Sequence, residues 1–117
     1  MSYDVYFCDP VSGKVIEIND KHFMRGGTYA IGGTTALSFN VTYNYSRNYE
    51  VHNFSIRDLN NKTALEAIPE LERVIGLLGD DVAPDYWKAT DGNAKRALIS
   101  LLTMAKMRPD AIIKVFC

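Results

Sequence analysis

The clearest alternation of apolar and polar positions falls in residues 37–45, where Leu37, Phe39, Val41, Tyr43 and Tyr45 alternate with Ser38, Asn40, Thr42 and Asn44. A period of two predicts a strand with one buried and one wet face. Upstream, residues 3–7 and 15–18 are short, aromatic and β-branched, and the segment between them, Asp9-Pro10-Val11-Ser12-Gly13, is dense in turn formers. This predicts an N-terminal β-hairpin. Residues 28–31 resume β character before Gly32-Gly33, a pair suited to a tight turn, so a second hairpin leading into the 37–45 strand is expected.

Residues 46–62 mix aromatic and polar side chains and stay open between strand and short helix, ending in a loop at 58–61. Thr63-x-x-Glu66 is a capping box and opens a helix, with Leu65, Ile68, Leu71, Ile75 and Leu78 as its apolar stripe. Pro69 lacks the N–H that would reach the Leu65 carbonyl, which predicts a kink or an irregular first turn, and Gly79 is expected to stop the helix. A second helix is predicted over residues 92–107, capped by Thr90 or Asp91, with Ala94, Ala97, Leu98, Leu101, Leu102 and Ala105 on one face. Arg108-Pro109 ends it, and residues 111–116 form a last strand. The expected fold is α+β: one domain, 1–117, in which a small, mostly antiparallel sheet of N-terminal hairpins and a C-terminal strand packs with two helices.

Composition narrows the function classes. A chain of 117 residues with 47% apolar and 23% charged positions is ordinary for a globular domain. Thirteen basic against fourteen acidic residues leave no global field to draw it to nucleic acid or an anionic membrane. Apolar runs fall far short of the ~20 residues that span a bilayer. The start, MSYDVYFCDP, has no basic segment followed by an apolar one, so a cytoplasmic location is expected. Cys8 and Cys117 belong to no ligand or redox spacing and read as reduced structural thiols.

Three groups of residues carry candidate chemistry. Arg25, Gly26, Gly27, Thr34 and Thr35 lie in a glycine-rich stretch whose backbone N–H groups can form an anion-holding concavity, although it is no Walker A loop and two hairpin turns explain the same glycines. The entrance to the last helix, residues 86–96, includes Trp87, Lys88, Asn93, Lys95 and Arg96. A helix N-terminus favours an anion, which would also relieve the two cations near the positive end of the dipole. Tyr43, Tyr45 and Trp87 offer flat rings on which a nucleobase can stack, but Tyr43 and Tyr45 continue the inward face begun at Leu37, which favours core packing for them. His22 and His52 stand alone, and Asp80, Asp81 and Asp85 lack the spacing of a cation loop. No catalytic residue, metal site or cofactor is expected. The expectation is one shared pocket joining Arg25, Thr34, Thr35, Trp87, Lys88 and Lys95 around an anionic, nucleotide-like ligand.

The segments YDVYFCDPVSGKVIEI, HFMRGGTYAIGGTT, NVTYNYS, ALEAIPELERVIGLLGDDV and DYWKATDGNAKRALISLLTMAKMRPD together resemble a family of small uncharacterised proteins of phages and mobile genetic elements of Gram-positive gut bacteria (Firmicutes). The resemblance covers nearly the whole chain. It departs after Arg108-Pro109-Asp110, where the family pattern has Gly and an acidic tail and this chain runs on as an apolar strand. No activity comes with that family. The resemblance implies a setting, a small non-enzymatic accessory protein that neutralises a host defence by sequestering a nucleotide-derived signal or masking a host protein. A virion assembly or structural protein and a nucleotide-acting enzyme are the alternatives, and a second copy of the chain that completes the pocket is a further partner to consider.

Overall fold

Tyr3, Val5 and Phe7 point to one side of the first strand and are all buried, so this strand needs a neighbour along each edge. It has both. In a computed structural model, which describes residues 1–22 and 33–117, the elements run β1 (Ser2–Cys8), β2 (Glu17–His22), β3 (Thr34–Ala36), β4 (Ser38–Thr42), a 3-10 turn (Tyr43–Tyr45), α1 (Ser46–Glu50), a second 3-10 turn (Ile56–Leu59), α2 (Ala64–Leu77), α3 (Asp91–Met107) and β5 (Ile112–Phe116). The fold is α+β.

The main sheet has the order β4-β1-β5, antiparallel throughout, and β2 and β3 form a separate two-stranded ribbon. The expected N-terminal hairpin is therefore reduced to a single bridge between Cys8 and Val15. Asp9 accepts from the Val11 and Ser12 N–H groups and Gly13 adopts φ +74°, which turns the chain back for that bridge, beyond which this edge of β1 belongs to β4. The expected strand at 28–31 lies outside the described residues. Residues 60–64 run along the outer edge of β5: the Ile113 N–H donates to the Lys62 carbonyl at 2.8 Å, and the Asn61 and Ala64 N–H groups donate to the Ile113 and Ala111 carbonyls.

β4 stops earlier than its alternation suggests. Thr42 Oγ1 accepts from the Asn44 N–H and caps a 3-10 turn, so Tyr43 and Tyr45 leave the strand. The polar face is not wet either: Ser38, Asn40 and Thr42 are buried, and Asn40 Nδ2 donates to Ser2 Oγ and Asp4 Oδ1, both at 2.8 Å.

Both helix N-termini form as the caps indicate, Thr63 with Glu66 on α2 and Thr90 with the Asn93 N–H on α3. Of the expected stripe of α2, Leu71 and Leu78 are buried and Ile68 and Ile75 pack partly buried against the core, and only Leu65 departs. Ala64, Ala67, Leu71, Val74 and Leu78 are enclosed, whereas Leu65 is 64% exposed. The alanines win because α2 packs on α3, whose own face carries Ala94, Ala97, Leu98, Leu101 and Ala105, and small residues allow close approach. Helical geometry runs unbroken through Pro69. Leu78, in extended conformation, ends α2, rather than a left-handed Gly79.

Candidate functional site

Residues 44–49 read Asn-Tyr-Ser-Arg-Asn-Tyr. A spacing of four puts the two asparagines, and the two tyrosines, on one side of the helical turn that Thr42 starts. All four donate into one loop and the helix it feeds. Asn44 Nδ2 reaches the Trp87 carbonyl at 2.8 Å and the Tyr45 hydroxyl reaches the Tyr86 carbonyl. Asn48 Nδ2 reaches Asp91 Oδ1 at 2.8 Å, and the Tyr49 hydroxyl reaches the Ala94 carbonyl at 2.9 Å. Burial pushes the Tyr45 hydroxyl up to about 12, with Tyr86 and Asp85 adding to it, and raises the Tyr49 hydroxyl well above the usual tyrosine range. Both remain donors at neutral pH.

Asn93 holds the same loop from the helix side. Its Oδ1 accepts from the Ala83 N–H at 3.3 Å, while Nδ2 donates to the carbonyls of Asp85 at 3.1 Å and Lys88 at 3.0 Å. Asp91 ties α3 to α1 and to the end of α2 by accepting from Asn48 and from the Gly79 N–H, and these two bonds hold its carboxyl below the usual range. The loop of residues 79–90 is thus fastened at both ends and in the middle.

This fastening fills the α3 N-terminus with protein. The Gly92 N–H donates to the Asp81 carbonyl at 3.2 Å and the Asn93 N–H to Thr90 Oγ1 at 3.1 Å, so the open donors expected for an anion are already paired. Asp81 approaches so closely that a Cβ on Gly92 would stand 2.7 Å from its carbonyl oxygen. Gly92→Ala is therefore expected to lower stability by about 1 kcal/mol or more, as backbone overpacking of about 1–3 kcal/mol outweighs the ~0.5–1 kcal/mol that alanine brings to a helix. Urea unfolding checks the sign.

Between the fastened loop and α3 lies a groove of about 500 Å³, lined by Tyr45, Ala83, Pro84, Tyr86, Asn93, Arg96, Ala97, Ile99 and Ser100. Its helical wall is one face, since Asn93, Arg96, Ala97 and Ser100 follow the i, i+3, i+4, i+7 spacing. Arg96 is exposed and makes no ion pair or hydrogen bond with another described residue. The Tyr86 ring that lines the groove stacks on the neighbouring Trp87 ring at 5.6 Å and 25°, with Trp87 39% exposed.

Of the residues singled out from sequence, Tyr45 and Asn93 line this groove, and both spend their polar groups on the loop. Trp87 and Lys88 sit exposed on the loop itself. Lys95 is bonded to Asp80 at 2.6 Å. Tyr43 packs on the Tyr3 ring at 4.5 Å. Thr34 and Thr35 belong to β3, where Thr34 Oγ1 accepts from the Ala36 N–H and Thr35 Oγ1 donates to Glu17 Oε2. Arg25, Gly26 and Gly27 lie outside the described residues. Sequence reasoning passed over Arg96 as a wall residue and over the Asn/Tyr repeat at 44–49, whose four-residue spacing was the available signal.

Comparison with protein-family models, curated proteins and solved structures finds no match. The functional reading rests on the chemistry of the groove.

Proposed function

We propose that the protein is a non-enzymatic binding module whose groove between residues 83–88 and α3 takes an anionic, planar, nucleotide-like ligand. The observation that carries this is the unpaired Arg96 guanidinium set in the wall of a groove whose lining Tyr86 ring stacks on Trp87. A guanidinium pairs with phosphate in a bidentate fork, and a ring face accepts a nucleobase. The volume lies within the ~300–1,000 Å³ of ordinary ligand sites. The groove's other polar side chains favour recognition over turnover, because Tyr45 and Asn93 are committed to the loop. The setting, a phage accessory protein that sequesters a host defence signal in the bacterial cytoplasm, comes from the sequence resemblance.

Calorimetry against cyclic dinucleotides and ADP-ribose derivatives tests it. Saturable binding to at least one of them is expected, weakened about tenfold or more by Arg96→Ala, since a charge-assisted hydrogen bond contributes about 1.5–3 kcal/mol. The unfolding midpoint should be unchanged, because Arg96 holds nothing in the fold. Heat-free titrations across the whole set would remove the nucleotide reading. A second reading, masking of a host protein, is favoured by the exposed Tyr86-Trp87 pair, as tryptophan and tyrosine dominate protein interfaces. In that case Trp87→Ala abolishes capture of the partner and Arg96→Ala need not.

A further inference from the structure

The outer face of the main sheet carries a second cavity that shares no residue with the groove. Tyr6 opposes Lys114 and Asp4 opposes Phe116 across the β1–β5 ladder, so these side chains stand together on the face away from Val5 and Phe7. Tyr6, Lys114 and Phe116, with Asn60, Asn61 and Val15, bound about 650 Å³. Tyr6 and Phe116 meet edge to face at 5.7 Å and form an apolar, aromatic wall.

The polar rim has one sign. Asn60 Oδ1 accepts from the Val115 N–H at 2.9 Å and Asn61 Oδ1 accepts from Lys114 Nζ at 2.5 Å, which orients both side chains and leaves both amide nitrogens as donors. Lys114 has no carboxylate partner among the described residues and keeps further protons to give. Asn61 adopts φ +69° and is pinned by its N–H to the Ile113 carbonyl, which fixes the amide at the cavity edge. The deep wall adds no opposing charge: burial raises the Cys8 thiol, against a smaller lowering by Lys114, so it stays protonated at neutral pH. Asp4, the carboxylate on this sheet face, accepts from Asn40.

We propose that this cavity is a second binding site, for a small molecule that joins an oxyanion, carboxylate or phosphate, to a planar apolar body. The anion meets Lys114 and the two asparagine amides, and the body lies against Tyr6 and Phe116. The Lys114 charge favours an anion over a neutral amide, which forgoes the charge-assisted bond.

The test is an NMR titration of the ¹⁵N-labelled full chain with 2-naphthoate, 2-naphthyl phosphate and the neutral 2-naphthamide. Saturable shifts of the Asn60 and Asn61 side-chain amides are expected with at least one anion, at least about tenfold weaker with the amide. Lys114→Met and Asn61→Asp should each weaken the anion about tenfold or more with the unfolding midpoint retained. The tighter of the two anions identifies the head group. The Trp87 indole signal reports the groove separately and should stay still, so failure of one site is distinguishable from failure of the other. Absence of saturable shifts with both anions into the millimolar range, equal affinity for the amide, or undiminished binding by both folded variants would overturn the proposal.

Discussion

Leu101→Ala is expected to lower the free energy of unfolding by about 2–5 kcal/mol, a large share of the ~5–15 kcal/mol that a domain of this kind has. Leu101 is fully enclosed on α3, in the cluster that joins α2, α3 and the inner sheet face. Truncation forfeits the transfer of its isobutyl group from water. It also leaves a cavity that surrounding side chains fill only in part. Denaturant unfolding of Leu101→Ala beside Lys106→Ala makes the comparison internal to one helix. Lys106 is exposed and lies 4.0 Å from Glu72, so its loss should stay within about 0.5 kcal/mol. A loss at Leu101 no larger than that at Lys106 would mean that α3 presents a different face to the core.

Asn93→Ala is expected to cost about 2–3 kcal/mol and to abolish binding in the groove. The side chain makes three hydrogen bonds to the loop backbone, each contributing about 1 kcal/mol net. The loop peptides it releases can turn to water, which keeps the loss from rising further. Asn93→Asp should be worse although it is isosteric. It retains an acceptor for the Ala83 N–H but turns a carboxylate oxygen toward the Asp85 and Lys88 carbonyls, where the amide now donates. Urea unfolding gives the stability difference, and the Trp87 emission maximum gives the state of the loop. A neutral Asn93→Ala would contradict the role assigned to this residue.

The parts of the fold legible in the sequence are those in which one local signal acts alone. Thr90 with a one-sided apolar face specified α3 nearly to the residue, and Thr63 with Glu66 specified the start of α2. On α2 only Leu65 was misread, because hydrophobicity ranks it above Ala64 and Ala67, whereas the space between two closely packed helices admits the small residue and turns the large one outward. Tyr43 and Tyr45 were misread because the period of two continues past the point where Thr42 caps a turn: tyrosine spacing by two looks like a strand until the capping hydroxyl is taken into account. The sheet order was not legible, since the register of β1 against β5 is a contact between the two ends of the chain. For the groove, the sequence singled out the entrance of α3 but read its polar groups as open. Lys95 and the Gly92 and Asn93 N–H donors proved to be paired with Asp80, Asp81 and Thr90, whereas the side chain of Arg96, one position on, has no ion pair among the described residues.

Trp87 is the one tryptophan of the chain and stacks on Tyr86 of the groove lining, so its emission reports this site without labelling. Titration of that emission with cyclic dinucleotides and ADP-ribose derivatives, in the parent and in Arg96→Ala, is the most direct test of the central claim. The expected result is a saturable change with at least one nucleotide, displaced about tenfold or more to higher concentration in Arg96→Ala. Flat emission across the set, or an identical curve in the variant, would contradict it.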